Sequence, residues 1–124
     1  MCSILMSIKP EYVEKILSGN KKYEFRKSVC KRFVDKIYIY STFPVKMVVG
    51  EAEVECILIE KPEELWKMTK EDAGINKEFF DEYFENKDKA VAYKLNNIRK
   101  YKKPKKLIEL GVKVAPQSYQ YVEQ

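Results

Sequence analysis

The stretch Gly19-Asn20-Lys21-Lys22-Tyr23-Glu24-Phe25-Arg26 carries the strongest structural signal in the chain. Gly19 is typical of the residue that follows a helix, and the alternating charged and aromatic residues after it predict a strand. Successive strand side chains point to opposite faces, so Lys22, Glu24 and Arg26 share one face and the two aromatic residues share the other. Residues two apart lie roughly 7 Å from each other. We therefore expect an aromatic face in the core and a charged face at a groove or in water.

Length and charge limit the possible architectures. With 124 residues the chain fits one domain, spanning residues 1–124, with a real but modest core. The net charge of +5 comes from 24 basic and 19 acidic residues, which is a mixed surface rather than a polycation. This balance permits an anionic partner without requiring one.

Membrane and secretory roles are not expected. No apolar run approaches the roughly 20 residues that cross a bilayer. Met1-Cys2-Ser3 is not followed by the basic and then apolar segment of a signal peptide. We therefore expect a soluble, cytoplasmic protein.

Cysteine and histidine usage limits the possible chemistry. Cys2, Cys30 and Cys56 are widely separated and form no CxxC pair, so we expect reduced thiols rather than a disulfide framework. The chain contains no histidine, which removes every Ser-His-Asp, Cys-His and His-metal arrangement. We expect neither a metal site nor a cofactor.

The order of elements predicts a small mixed domain. Strands are expected over residues 3–8, 34–40, 46–60, 90–98 and 119–122, and a short helix over residues 10–18. Pro62 is typical of a first helical position, and Thr69 and Asn76 resemble helix N-caps. Phe79, Phe80, Tyr83 and Phe84 follow at helical spacing. Such an aromatic stripe favours a helix packed on the sheet over a platform for a ligand.

A basic run near residue 100 has two interpretations. Residues 99–106 hold six basic residues and one tyrosine, as expected for a lysine-rich turn after the strand over residues 90–98. Cations neutralise phosphates and an aromatic ring can stack on a base, which favours nucleic-acid binding. An ordinary solvated loop is the alternative. The candidate nucleic-acid-binding residues are Arg99, Lys100, Tyr101, Lys102, Lys103 and Lys105.

The opening stretch also resembles a known family signature. Gly19, Lys21, Glu24 and Arg26 fill the spacing GxKxxExR of the ASCH domain, a relative of PUA-like RNA-binding folds. The later stretches 39–44 and 49–51 are similar to the strand, turn and returning strand of that family, and the resemblance runs from Ile4 to Val122. It implies an α+β fold. The expected form is a small PUA-like β-barrel with a short helix before the signature strand and one or two helices packed outside.

The resemblance also implies a ligand site. In the family the signature lines a cleft, so we expect RNA or a nucleotide-derived ligand in a basic groove, with stacking on Tyr40 or Tyr101. A surface ladder of ion pairs, or a groove for a non-nucleic ligand, remains the alternative. The candidate ligand-binding residues are Gly19, Lys21, Lys22, Glu24, Arg26, Tyr40, Ser41 and Thr42.

The resemblance leaves enzymatic turnover open. Some ASCH-like proteins are amidohydrolases that remove the acetyl group of N4-acetylcytidine with a lysine, a threonine and an acidic residue. Lys21 matches their lysine, but Glu24 stands where the threonine is expected, and a carboxylate replaces a hydroxyl nucleophile poorly. Thr42 is a weaker candidate for that hydroxyl, and Asp72 or Glu71 for the acid. Other relatives cleave RNA, for which Lys21 and Glu24 are the candidate acid and base.

Overall fold

The computed structural model describes residues 2–122, which form a mixed sheet with three helices packed outside it. The predicted α+β class is confirmed, and the sheet is a half-barrel. The strands are β1 Ser3–Ile8, β2 Tyr23–Arg26, β3 Lys36–Ser41, β4 Met47–Glu60, β5 Ala90–Lys105 and β6 Tyr119–Val122. The helices are α1 Pro10–Leu17, α2 Pro62–Thr69 and α3 Lys77–Tyr83.

The six strands follow the order β2-β5-β4-β3-β1-β6. β1 and β3 are parallel, and the other neighbouring pairs are antiparallel. The first and last strands in sequence are therefore neighbours at one end of the sheet, and the signature strand β2 forms the opposite edge.

Helix α1 forms where the sequence predicts it. Pro10 occupies its first turn, and the apolar residues Val13 and Ile16 are buried against the sheet. Gly19 follows the helix with φ +86°, a left-handed conformation that glycine adopts without a steric cost. The chain therefore leaves the helix in a fixed direction and enters β2 four residues later.

The core divides into three clusters. The first lies under α1 and includes Ile4, Ile16 and Tyr93. The second lies under α2 and α3, where Leu65, Phe80 and Phe84 contact the aromatic face of β2. The third surrounds three tyrosines; these are Tyr38, Tyr40 and Tyr101. As predicted, Tyr23 and Phe25 belong to the core.

Several local expectations were wrong. β5 does not end at residue 98 but continues to Lys105, so the basic run is a strand rather than a turn. Ser41 ends β3 instead of belonging to a turn. Thr69 is not an N-cap through its side chain, because its hydroxyl donates to the Leu65 carbonyl one turn back, at 2.9 Å. Cys56 is half-buried rather than a core residue, because the β4–β5 register shifts beside it.

Candidate functional site

A cavity of about 360 Å³ opens where the ends of β1 and β2 meet α1 and α3. Its charged residues include Lys21, Glu24 and Arg26, which we call the signature triad. Aromatic side chains form much of the remaining wall; they are Tyr12, Phe25, Phe79 and Tyr83. The cavity thus combines buried charge with flat apolar surfaces.

Lys21 is a buried ammonium with a defined position. Only 2% of the residue is exposed, and its Nζ donates to the carbonyl of Ala73 at 2.8 Å. The same Nζ lies 4.9 Å from the centre of the Phe25 ring and 4.0 Å from Glu24 Oε1. Burial lowers the pKa of Lys21 to about 8, and the negative charge of Glu24 opposes that shift. An amine with this pKa is charged at neutral pH and can still release its proton under mildly basic conditions.

Three consecutive carbonyl groups between α2 and α3 hold this lysine and its surroundings. The carbonyl of Asp72 accepts from the backbone N–H of Lys22 at 2.9 Å, and that of Gly74 accepts from Lys15 Nζ at 3.0 Å. The Ala73 carbonyl between them accepts from Lys21. We call residues 72–74 the carbonyl turn.

Gly74 makes room for the lysine. It has φ +70°, and a Cβ built on it would lie 2.5 Å from Lys21 Cβ, closer than side chains approach. The stem of Lys21 thus fills the space that a side chain at Gly74 would need. No local pattern in the sequence indicated this contact, because the two residues are far apart along the chain.

Glu24 and Arg26 form a short ion pair. Arg26 Nη2 lies 2.7 Å from Glu24 Oε2 and also donates to the Ser7 carbonyl at 3.0 Å, and its Nη1 donates to Ser118 Oγ at 3.2 Å. Its Nε is buried and has no hydrogen-bond partner among residues 2–122. Within the same part of the chain, Glu24 Oε1 accepts no hydrogen bond, since Lys21 Nζ lies at 4.0 Å. The pair therefore leaves one carboxylate oxygen of Glu24 for another molecule, whereas Arg26 Nε is too deeply buried to reach one.

Helix α3 contributes two aromatic rings to the cavity. Phe79 and Tyr83 are one helical turn apart, and their rings are nearly parallel, with an interplanar angle of 9° and centroids 6.5 Å apart. Tyr12 meets Phe79 edge-on at 5.9 Å. The exposed Lys27 places its Nζ 4.8 Å from the centre of the Tyr83 ring. The prediction that the aromatic stripe packs on the sheet holds for Phe80 and Phe84, which belong to the second core cluster, and for Tyr83, which packs against it. It is wrong for Phe79, which lines the cavity instead.

Comparison with known proteins identifies the family. The family model of the ASCH domain matches residues 6–99, which include the signature and most of the sheet. The chain belongs to the ASCH domain family. The predicted membership of the ASCH family is therefore confirmed.

Relatives of this ASCH domain include proteins with different names. The Large ribosomal subunit protein uL22 of Ureaplasma parvum is 30% identical over 122 residues, covering 98% of this chain and 39% of that protein. An ASCH domain-containing ribonuclease of Zymomonas mobilis is 34% identical over 94 residues, covering 75% of this chain and 64% of that protein. The chain thus spans less than two thirds of the length of both relatives.

A solved structure matches the whole fold. The crystal structure of ASCH from Zymomonas mobilis has a TM-score of 0.89 and 30% sequence identity, covering 98% of this chain and 88% of that one. The small PUA-like β-barrel expected from the family resemblance is therefore confirmed, in the form of a half-barrel.

The cavity of this ASCH domain contains some of the predicted ligand-binding residues. Lys21, Glu24, Arg26 and Thr42 line it. The others lie elsewhere: Gly19 follows α1, Lys22 is exposed, Ser41 lies in β3, and Tyr40 is buried in the third core cluster. Lys22 precedes β2, so the strand alternation that was expected to group it with Glu24 and Arg26 begins only after it. Sequence alone did not indicate that Tyr12, Phe79 and Tyr83 line the cavity, because their helical spacing is typical of core residues.

The candidate acid Asp72 does not line the cavity. It contributes its carbonyl group to the carbonyl turn, where it accepts from the N–H of Lys22. Glu71, the other candidate, is exposed in the same turn and is also absent from the cavity wall. The sequence could not show that Asp72 acts through its backbone carbonyl rather than its carboxylate, because every residue type has a backbone carbonyl.

The basic run of β5 lines a separate depression of about 450 Å³ that shares no residue with the signature cavity. Tyr101 is buried there, and its hydroxyl donates to Glu51 Oε1 at 2.8 Å. Burial and this hydrogen bond raise the pKa of Tyr101. Neither Tyr101 nor Tyr40 therefore presents a free ring for stacking.

Residues 2–122 contain neither a metal-binding group nor a membrane-spanning helix. Among them, no three cysteine or carboxylate side chains come together as a group that could hold a metal ion. None of the described helices has the length and apolar character needed to cross a membrane.

Proposed function

We propose that this ASCH domain binds RNA by holding one unpaired nucleotide in the signature cavity. The observation that supports this most is the buried signature triad beside the parallel rings of Phe79 and Tyr83. The volume of the signature cavity, about 360 Å³, falls within the range of about 300 to 1,000 Å³ that is typical of small-molecule sites.

The two halves of the cavity fit the two parts of a nucleobase. Aromatic side chains stack on any planar base, and such stacking contributes about 1 to 3 kcal/mol per base. The edge of a base carries both donors and acceptors, and proteins read it by hydrogen bonds once it is unstacked. Glu24 Oε1 is available as an acceptor for such an edge, since the nearest ammonium, Lys21 Nζ, lies 4.0 Å from it. A purely cationic site for phosphate would have no need for the buried carboxylate.

Cations at the opening suit the rest of a nucleotide. Lys9 is exposed and lines the cavity, and Lys27 lies against the Tyr83 ring. Both are positioned to neutralise a phosphate next to a bound base. The name of the ribonuclease relative supports an RNA ligand. We accordingly propose a cytoplasmic role.

Titration of single-stranded RNA tests the proposal. We expect Phe79→Leu and Glu24→Gln each to weaken binding by about tenfold, the equivalent of one lost stacking or hydrogen-bonding contact. Phe43→Leu is the matched control, because Phe43 is 77% exposed and does not line the cavity. Affinities unchanged in both cavity variants would remove the proposal.

RNA cleavage is a second candidate, favoured by the pKa of Lys21 near 8 and by its position 4.0 Å from a carboxylate. In that reaction Glu24 would accept the proton of a 2′-hydroxyl as its oxygen attacks the adjacent phosphorus. Lys21 would then donate its proton to the 5′-oxygen as the bond between phosphorus and that oxygen breaks, which leaves a 2′,3′-cyclic phosphate and a free 5′-hydroxyl. The ribonuclease relative supports this chemistry.

End-labelled RNA tests for cleavage. Products that end in a 2′,3′-cyclic phosphate are expected with the unmodified protein and not with Lys21→Met. RNA that stays intact under conditions where it is bound would leave binding as the function and exclude turnover.

The amidohydrolase alternative predicts loss of acetyl from N4-acetylcytidine. Thr42 lines the same cavity as Lys21, so a hydroxyl is present in the wall although Glu24 occupies the signature position. Chromatography of the free nucleoside after incubation distinguishes this reaction. Release of cytidine by the unmodified protein but not by Thr42→Val would support it.

A further inference from the structure

We infer that the second half of β5 is a separate phosphate-binding surface, which holds the RNA backbone outside the signature cavity without reading its sequence. We call residues 99–105 the β5 basic segment. The inference rests on the proposed RNA-binding function and adds a second contact site to it. It concerns a surface that lies outside the ASCH signature.

The β5 basic segment concentrates unpaired cations. Its five cations are exposed, and none of them forms an ion pair with a carboxylate in the described chain. They are Arg99, Lys100, Lys102, Lys103 and Lys105. The carboxylate of the depression is already engaged, since Glu51 contacts Lys36 Nζ at 2.9 Å and the Tyr101 hydroxyl at 2.8 Å. Like charges this close repel one another, and a bound polyanion relieves that repulsion.

The first half of the same strand provides a contrast. Lys94 contacts Glu55 Oε2 at 3.0 Å, and the amide groups of Asn96 and Asn97 donate to Glu55 and Glu53. The one cation of β5 before residue 97 therefore has an ion-pair partner, whereas the cations after it form no ion pair within residues 2–122, although Arg99 lies opposite Glu51 in the register. A lysine-rich solvated edge would need only one or two such cations to discourage pairing with another strand.

The shape of the segment fits an extended anion. Seven residues of strand span roughly 20 Å at about 3.3 Å per residue. Alternate strand side chains share a face roughly 7 Å apart, so alternate cations of the segment can meet successive phosphates of one polymer, whereas a small anion would contact only one or two of them. A nucleic-acid backbone supplies that spacing of charge, and its affinity comes from the release of counterions.

The β5 basic segment has no exposed aromatic ring that could stack on a base. Its one aromatic residue, Tyr101, is buried, and the Nζ of Lys105 lies 4.9 Å from the centre of its ring. The tyrosine hydroxyl is committed to Glu51. Contacts here would therefore be to phosphate and would not depend on sequence. Recognition of the base is left to the signature cavity.

Salt-dependent titration of a mixed-sequence single-stranded RNA tests the inference. Each phosphate contact on a single strand contributes about −0.7 to the slope of log affinity against log salt. Replacing Lys100, Lys102 and Lys103 together by glutamine should therefore reduce that slope in magnitude by about 2. A ribose-phosphate polymer without bases should bind the unmodified protein and lose the same part of its slope in the triple variant.

The matched control removes equal charge elsewhere. Lys61, Lys70 and Lys87 are exposed and lie outside both depressions, so their joint replacement by glutamine lowers the net charge by the same amount. We expect a change of slope below about one contact. Equal loss in both triple variants would overturn the inference, since general charge would then explain the binding.

Two further outcomes separate this inference from the proposed function. If Phe79→Leu leaves RNA binding unchanged while the β5 triple variant reduces the slope, the cavity proposal fails and the basic segment stands. If the β5 triple variant keeps its RNA slope but loses binding to phosphatidylserine vesicles, the partner is a membrane surface and the inference is overturned. Circular dichroism of each variant checks that these exposed substitutions leave the fold intact.

Discussion

At the scale of single residues, the buried ammonium of Lys21 lowers the stability of the fold while it lines the signature cavity. An amine in water has a pKa of 10.5, and burial lowers the pKa of Lys21 to about 8. That difference corresponds to roughly 3 kcal/mol of unfavourable free energy for keeping the ammonium charged in the folded protein at neutral pH. The bond to the Ala73 carbonyl and the nearby Phe25 ring offset part of the loss of water. The fold thus tolerates a buried charge at a free-energy cost that these contacts only partly offset.

The lowered pKa predicts an unusual pH dependence of stability. Between pH 8 and 10.5 the unfolded chain binds a proton that the folded chain has released, so the unfolding free energy rises with pH in this window. Relative to Lys21→Met, the unmodified protein should gain about 2 to 3 kcal/mol between pH 7 and pH 10. Denaturant titration at the two pH values measures it. Lys22→Met, an exposed neighbour, should give no such gain, and a flat difference for Lys21→Met would contradict the prediction.

Gly74 offers a second test at this scale. Gly74 and Gly111 have similar φ values of +70° and +76°, but only Gly74 has atoms in the space that a Cβ would fill. Gly111→Ala should cost about 1 kcal/mol from backbone strain alone. Gly74→Ala should cost distinctly more and also weaken RNA binding, because Lys21 must move. Equal losses of stability, measured by urea unfolding, would show that the contact has no effect.

The signature predicted which charged residues meet, but not what holds them. Lys21, Glu24 and Arg26 are close in sequence, and strand alternation brings Glu24 and Arg26 to one face. The Ala73 carbonyl that fixes Lys21 is 52 residues away in the chain. Every residue type has a backbone carbonyl, so no sequence pattern could indicate that this one accepts from Lys21. Tyr40 was misplaced for a related reason, since the face that each strand residue takes in a curved sheet depends on its neighbours.

At the scale of elements, α3 serves the core and the cavity with two adjacent faces. Phe80 is fully buried, whereas Phe79 is 38% exposed and lines the cavity. Phe80→Ala should lower the unfolding free energy by about 3 to 5 kcal/mol. Phe79→Ala should cost far less stability and more RNA affinity. Thermal unfolding and RNA titration of the two variants measure both effects, and a reversed order would show that the faces are wrongly assigned.

The length of β5 could not be predicted from its composition. Lysine and proline are depleted in strands, so residues 99–105 suggested a turn. The register between β4 and β5 shifts in three places, and Asn97 has φ 47°, which bends the strand without ending it. Pro104 is tolerated because it lies at an irregular edge. By contrast, β4 was predicted almost to its ends, because its alternation is regular.

At the scale of the whole molecule, Arg26 closes the half-barrel. It starts from the edge strand β2 and contacts the Ser7 carbonyl of β1 and the hydroxyl of Ser118, just before β6. These are opposite ends of the sheet order. The sequence predicted how many strands there are and where they lie along the chain, and the family resemblance indicated that they form a barrel. The sequence did not predict their order within the sheet. The closing contact could not be foreseen, because strand order is not encoded near Arg26.

Loss of this closure should be costly. Arg26→Met leaves the buried Glu24 without its partner at 2.7 Å and should lower the unfolding free energy by about 3 kcal/mol or more. Lys94→Met breaks a pair of similar length that is partly exposed and should cost less than about 1 kcal/mol. Denaturant unfolding compares them. A similar small loss for both would mean that the barrel does not depend on Arg26.

The pairing of β1 with β6 has a consequence for engineering. Ser3 lies directly opposite Val122 in the antiparallel register, so the outer ends of the two strands are a few ångströms apart. A short glycine-rich bridge could join them, and new termini could be opened in the exposed connection at residues 85–89. Such a circular permutant should keep every strand pair and fold to the same sheet, which its far-ultraviolet spectrum and RNA affinity would reveal.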